Sequence, residues 1–125
     1  MKRQKLALSL AASALLATSC WTRDNLDYPI LLSFPKEGDT RIINGNGYFY
    51  SWEILDYDGN GNATLNSEKD DSLSVTYQWL TLKCRKYEHK ITLIAAPNTT
   101  GKNRKLYISG SGANIYSEIK VKQGK

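Results

Sequence analysis

Between residues 115 and 123 the side chains alternate without a break. Ile115, Ser117, Ile119, Val121 and Gln123 fall on one face, and Tyr116, Glu118, Lys120 and Lys122 on the other. A period of two sets one face against a core and the other in water, which is the signature of a β-strand. Two more apolar runs, residues 91–96 and 106–108, precede it across clusters of Asn, Thr, Gly, Lys and Ser. Runs bounded in this way predict consecutive strands joined by short turns.

The upstream chain follows the same rule. Pro29 and Pro35 bracket the apolar run 30–34, which predicts a strand at a sheet edge, where a missing amide costs no ladder bond. Residues 40–43 predict a second strand and 48–55 (YFYSWEIL) a third, with Tyr48, Tyr50, Trp52 and Ile54 toward the core. Residues 56–71 (DYDGNGNATLNSEKDD) are polar and turn-rich, with one short strand at 63–65. Strand-like composition resumes at 72–76 and 78–84. No segment carries the helical period, so the expected fold is all-β, a sandwich of about seven to nine short strands.

The N-terminus reads as a targeting segment. Lys2, Arg3 and Lys5 form a basic region, residues 6–17 an apolar one, and Ala17-Thr18-Ser19-Cys20 a small-residue junction. The apolar part is shorter than the roughly 20 residues a membrane-spanning helix needs. Ala17 and Ser19 satisfy ordinary signal cleavage, which would leave Cys20 a plain N-terminal thiol. The junction also resembles the bacterial lipobox, in which the cysteine is acylated and becomes the first residue. The expected organisation is a lipoprotein signal over 1–19, a lipid-anchored tether over 20–29, and one sandwich domain over 30–125.

Removing the signal leaves 106 of the 125 residues, enough for a core without covalent staples. It also removes three of the 17 basic residues against 12 acidic ones, so the net charge falls from +5 to +2. That balance gives no case for nucleic acid as a partner. The cysteines are Cys20 and Cys84. Acylation of Cys20 would preclude an intramolecular disulfide, and Cys84, in step with Leu80 and Leu82, reads as a small buried hydrophobe.

Candidate chemistry is sparse. Asp56, Asp58 and Asn60, followed by Gly61, fit the opening of a calcium loop, where alternate side-chain oxygens converge on a hard cation. The twelfth position is Ser67 rather than a bidentate glutamate, and a hairpin turn explains the same letters. The one histidine, His89, lies in a charged turn without a Ser or Cys partner, so no catalytic constellation is expected. Aromatic residues are the stronger lead, with 8 Tyr, 3 Trp and 2 Phe. Sugar CH faces stack on such rings while polar neighbours bond the hydroxyls. If Leu80, Leu82 and Cys84 face inward, Tyr77 and Trp79 face outward, so Tyr57, Tyr77, Trp79 and Tyr87 are the candidate ligand-binding residues; the alternative is that Trp79 starts a strand and packs in the core. Lys83, Arg85, Lys86, Lys90, Lys102, Arg104 and Lys105 flank two turns and read as a solvated charged rim.

Several stretches together resemble the BACON family: Phe34-Pro35-Lys36-Glu37-Gly38, Trp52, Trp79-Leu80-Thr81-Leu82, the turn Asn98-Thr99-Thr100-Gly101-Lys102-Asn103-Arg104, and the ending Val121-Lys122-Gln123. The likeness spans residues 30–123. It implies Ig-like modules of secreted and lipid-anchored Bacteroidetes proteins, often beside carbohydrate-active enzymes. Asp71-Ser72-Leu73 resembles the O-glycosylation sequon of the same bacteria. The implied protein is a non-enzymatic module of the cell envelope, at the outer membrane, held through acylated Cys20. Its partner would be a glycan, or alternatively an envelope protein. In the producing cell, a fatty-acid probe should label the wild-type chain and not Cys20→Ala; equal labelling of the two would sink the anchor.

Overall fold

The structure, a computed structural model, describes residues 25–65, 72–112 and 114–125. The signal, Cys20 and residues 66–71, with Ser67 and Asp71, lie outside them. Nine strands form among the described residues: β1 (Leu31–Phe34), β2 (Asp39–Asn44), β3 (Ser51–Leu55), β4 (Gly61–Leu65), β5 (Ser72–Tyr77), β6 (Leu80–Arg85), β7 (Lys90–Ala95), β8 (Arg104–Ser111) and β9 (Tyr116–Gln123). They make two sheets, ordered β1-β9-β8-β3-β4 and β2-β7-β6-β5. The all-β sandwich expected from the alternation is what the chain adopts. Every pairing is antiparallel except β1 with β9, the first strand with the last.

The alternation of β9 holds in full where it was clearest. Ser117, Ile119, Val121 and Gln123 are buried, while Tyr116, Lys120 and Lys122 face water. Opposite them on β8 stand Leu106, paired with Val121, and Ile108, paired with Ile119. The other sheet answers with Leu80, Leu82, Ile91 and Leu93, each 1% exposed or less. Each such side chain contributes about 1.5–3 kcal/mol by leaving water. β1 takes the edge position that its flanking prolines require.

Two expectations change. Residues 25–29, expected in the tether, belong to the domain. Asn25 donates from Nδ2 to the Glu118 carbonyl (3.0 Å) and accepts the Glu118 amide on Oδ1 (2.9 Å), and Tyr28 is 3% exposed in the core. Single anchoring residues leave no period in a sequence, so the segment read as unstructured.

The second change is in β3. Tyr48 and Tyr50 are exposed and Phe49 is buried, although Trp52 and Ile54 do face the core as expected. The cause is an extra residue. Tyr50 donates its amide to the Ser111 carbonyl (2.9 Å), and Ser51 is also the register partner of Ser111. Two residues set against one reverse the alternation, as in a β-bulge. Phe49 and Trp52 then both point inward, their rings 4.8 Å apart at 80°. They fit because position 110 is glycine: a Cβ there would lie 2.8 Å from each ring.

Among the described residues, four polar ones are buried with the core: Asn98, Ser109, Ser117 and Gln123. Gln123 accepts from Arg104 Nε (2.7 Å) and donates to the carbonyls of Ala96 (2.7 Å) and Pro35 (3.1 Å). Asn98 donates to the carbonyls of Lys102 (2.8 Å) and Gly124 (2.9 Å) and accepts from the Thr100 amide (3.1 Å) and hydroxyl (2.7 Å). Stranding such partners costs about 1–3 kcal/mol. Asn98→Ala should therefore lower the melting temperature by roughly 5 °C or more, with Thr100→Val costing less. An unchanged melt would show that the turn holds without its side-chain bonds.

Candidate functional site

The four residues expected to bind ligand are not brought together. Tyr77 and Leu80 close the β5–β6 ladder, so Gln78 and Trp79 form a two-residue hairpin turn, with Gln78 at φ 53°. Strand parity does not apply inside a turn. Trp79 is 7% exposed rather than outward, its carbonyl accepting the Ala96 amide (2.9 Å) and its ring lying 4.9 Å from the Arg104 guanidinium. Tyr77 is half-buried and donates its hydroxyl to Asp56 Oδ2 (3.0 Å). Partial burial and that bond raise its pKa. Tyr57 is exposed on the outer face of the five-stranded sheet, its ring 5.0 Å from Tyr107 and beneath Lys105 Nζ at 4.4 Å. Of the four, Tyr87 alone lies at the opposite end of the sandwich.

The calcium candidates form a turn. Asp56 Oδ1 accepts the amides of Asp58 and Asn60, both at 2.9 Å, while Oδ2 accepts from Tyr77. The Asn60 amide foremost holds the Asp56 carboxyl below the ordinary carboxylate range. Both carboxylate oxygens of Asp56 are thus met by donors of the turn and of Tyr77. Among the described residues, no three His, Cys, Asp or Glu side chains gather as a metal site would require.

A different aromatic group has formed where the β2–β3 loop, the β6–β7 turn and the β8–β9 turn meet. Tyr48 is its centre. The Tyr87 ring stands edge-on at 5.2 Å and 90°, His89 stacks at 6.0 Å and 20°, and Tyr50 lies 6.3 Å away at 74°. Tyr48, Tyr50 and Tyr87 are 37%, 47% and 61% exposed, so three large rings face water side by side. Tyr48, Tyr50 and His89, with Asn114 and Ile115, line a cleft of about 330 Å³, and Tyr87 packs edge-on against Tyr48 outside that lining. A larger groove of about 650 Å³ runs past Arg104, Lys105 and Lys122 at the other end, but its one ring, Phe34, is buried.

Local structure explains how the rings arrive there. The bulge at Tyr50 and Ser51 turns Tyr48 and Tyr50 outward. Tyr28 supports the loop from below: its hydroxyl donates to the Gly47 carbonyl (2.8 Å), and its ring occupies the space a Cβ on Gly45 would need. Tyr87 occupies the left-handed region at φ 64°. A bulky side chain there is unusual and strained by about 1 kcal/mol or more, a cost met more often where a side chain is needed for function.

Sequence reasoning missed Tyr48, Tyr50, His89 and Asn114. One signal was present: Gly45-Asn46-Gly47 just before Tyr48 marks a loop in which strand parity need not start until later.

The fold is similar to that of a Bacteroides thetaiotaomicron protein solved by NMR, with a TM-score of 0.54 at 15% identity. The match covers 78% of this chain and 82% of that one, and at this identity it speaks to fold alone. No protein-family pattern and no curated protein matches the sequence.

The support beneath the cleft carries a pH signature. Burial foremost pushes the Tyr28 phenol up from 10.0 to about 12 and the half-buried Cys84 thiol up from 9.0 to about 11. Both groups keep their protons in the fold after the unfolded chain has lost them. Stability should therefore be level up to about pH 9 and fall as pH rises from there toward 12. Denaturant midpoints across that range check it. Tyr28→Phe should flatten the upper part of the slope, and a midpoint that rises above pH 9 would contradict the assignment.

Proposed function

We propose that this chain is a lipid-anchored, non-catalytic module of the bacterial cell envelope, at the outer membrane, and that it takes a saccharide in the Tyr48–Tyr50–His89 cleft. The observation that carries this reading is two exposed tyrosine rings lining one hollow, with a third, Tyr87, packed edge-on against one of them. Large aromatics contribute most when buried, so a cluster left in water at loop tips points to a partner that covers it. Pyranose rings suit it, since their CH faces pack on aromatic rings while hydroxyls pair with polar groups such as His89, Asn114 and the tyrosine hydroxyls. The lining supplies few catalytic groups. His89 has no nucleophile among the cleft residues, and no carboxylate lines the hollow. The likeness to BACON modules and the lipobox-like junction at Cys20 support the same placement.

A second reading, a protein-interaction subunit of the envelope, draws on the edge strands. Ile30, Leu31 and Ile42 are exposed along the margin formed by the edge strands β1 and β2. Apolar side chains beside two free sheet edges suit a protein partner that adds a strand.

A glycan array separates the two. Wild-type protein should retain one saccharide group, and Tyr48→Ala should lose at least tenfold in affinity. Tyr87→Gly should weaken binding by removing the ring packed on Tyr48, with no drop in melting temperature, because glycine relieves the left-handed backbone. A blank array together with one stoichiometric protein in a pull-down, lost on Ile42→Lys, would favour the edge instead.

A further inference from the structure

The chain enters the domain beside the cleft. The Asn46 amide donates to the Leu26 carbonyl (2.6 Å), and a Cβ at Gly47 would sit 3.1 Å from the Leu26 side chain and 3.7 Å from Ile115. Gly47 and Ile115 both line the cleft. Leu26 is therefore packed behind one wall of the hollow. Asn25, just before it, is fixed to the start of β9 through its paired bonds with Glu118.

Covalent geometry then limits how far this end can stand from the anchor point. Asn25 lies five positions after Cys20, and a fully extended chain of five steps reaches at most about 18 Å. β1 and β9 run parallel and both begin at this end. The eight residues of β9 carry the chain about 26 Å toward the Asn98 turn. In a protein held at Cys20, the cleft end thus faces the bilayer and the Asn98 end faces outward. A polar headgroup layer is about 5–8 Å deep on each side of a membrane, so a sugar projecting from it falls within reach of the rings. A site for soluble glycans would be better placed at the far end.

The lining narrows the chemistry. The cleft residues include no lysine, arginine, aspartate or glutamate. Nothing there would repay the desolvation of a phosphate or carboxylate, whereas neutral hydroxyls can be met by His89, Asn114 and the tyrosines.

We infer that the saccharide taken by this cleft is the neutral sugar headgroup of a glycolipid in the same leaflet that holds the anchor. The inference rests on the anchored, sugar-binding reading above and specifies its ligand. Confinement to one leaflet makes capture effectively intramolecular, which raises apparent affinity by about 10²–10⁴ without any new contact.

The test uses the full lipidated chain in phosphatidylcholine vesicles. Amide hydrogen exchange of Tyr48, Phe49, Tyr50 and Asn114 is the readout. Three additions are compared: none, a mixture of glucosyl, galactosyl and mannosyl diacylglycerols, and the matching free saccharides. A fourth arm presents the glycolipid vesicles to Cys20→Ala, which keeps every cleft residue but has no anchor.

The expected result is protection in the glycolipid arm at total sugar concentrations about 100-fold below those the free saccharides require. Cys20→Ala should lose that advantage, and Tyr48→Ala should abolish protection. Equal potency of free and lipid-linked sugar would overturn the inference and leave the saccharide reading standing. Protection by neither form would bring down both. Equal protection on plain phosphatidylcholine would make the cleft a phospholipid contact, and equal response of Cys20→Ala would overturn the orientation.

Discussion

Gln123 is the residue on which the sandwich closes. Its side chain is 1% exposed, yet it joins Arg104 on β8 to the carbonyls of Pro35, in the β1–β2 connection, and Ala96, just past β7. Those groups come from both sheets. A buried amide is tolerable only when its donors and acceptors are met, and here meeting them requires the sheets to sit in one relative position. Apolar contacts between Leu82, Leu93, Ile108 and Ile119 supply most of the burial but tolerate sliding. The amide does not. Asn98 extends the same constraint by tying the β7–β8 turn to Gly124.

With one end fixed by polar bonds, the other end is free to vary its chemistry. The two ends differ in kind. Around Gln123 the side chains serve one another, Arg104 included, which spans Trp79, Gln123 and two backbone carbonyls. Around Tyr48 the side chains face outward, and the backbone bears the cost through a bulge at Tyr50 and Ser51 and a left-handed Tyr87. Beneath them Tyr28, Phe49 and Trp52 form a packed aromatic floor, with ring separations of 4.8 to 5.8 Å. An exposed platform thus stands on a rigid one.

The sequence made the fold readable wherever a strand was long and half-wet. The alternation of β9 and the prolines beside β1 led directly to their observed roles. The site was far less legible, for two local reasons. One extra residue near Tyr50 inverted the outlook of Tyr48, Phe49 and Tyr50, and no composition rule marks a bulge. Trp79 was assigned a strand face when it belongs to a two-residue turn, where direction is set by backbone angles rather than parity. Asn25 to Tyr28 were invisible because their contribution is a few specific bonds without period. Proximity of three separate loops, which created the cleft, is a property of topology that alternation within one strand does not encode.

The pairing of β1 with β9 also makes both ends of the molecule depend on one strand. β9 is an interior strand: it lies between β1 and β8, and without it β1 has no neighbour in its sheet. Gln123, which fixes the two layers, stands at its far end, and Glu118, the partner of Asn25, near its start. Loss of this one strand therefore removes the bonds that hold both ends of the sandwich at once.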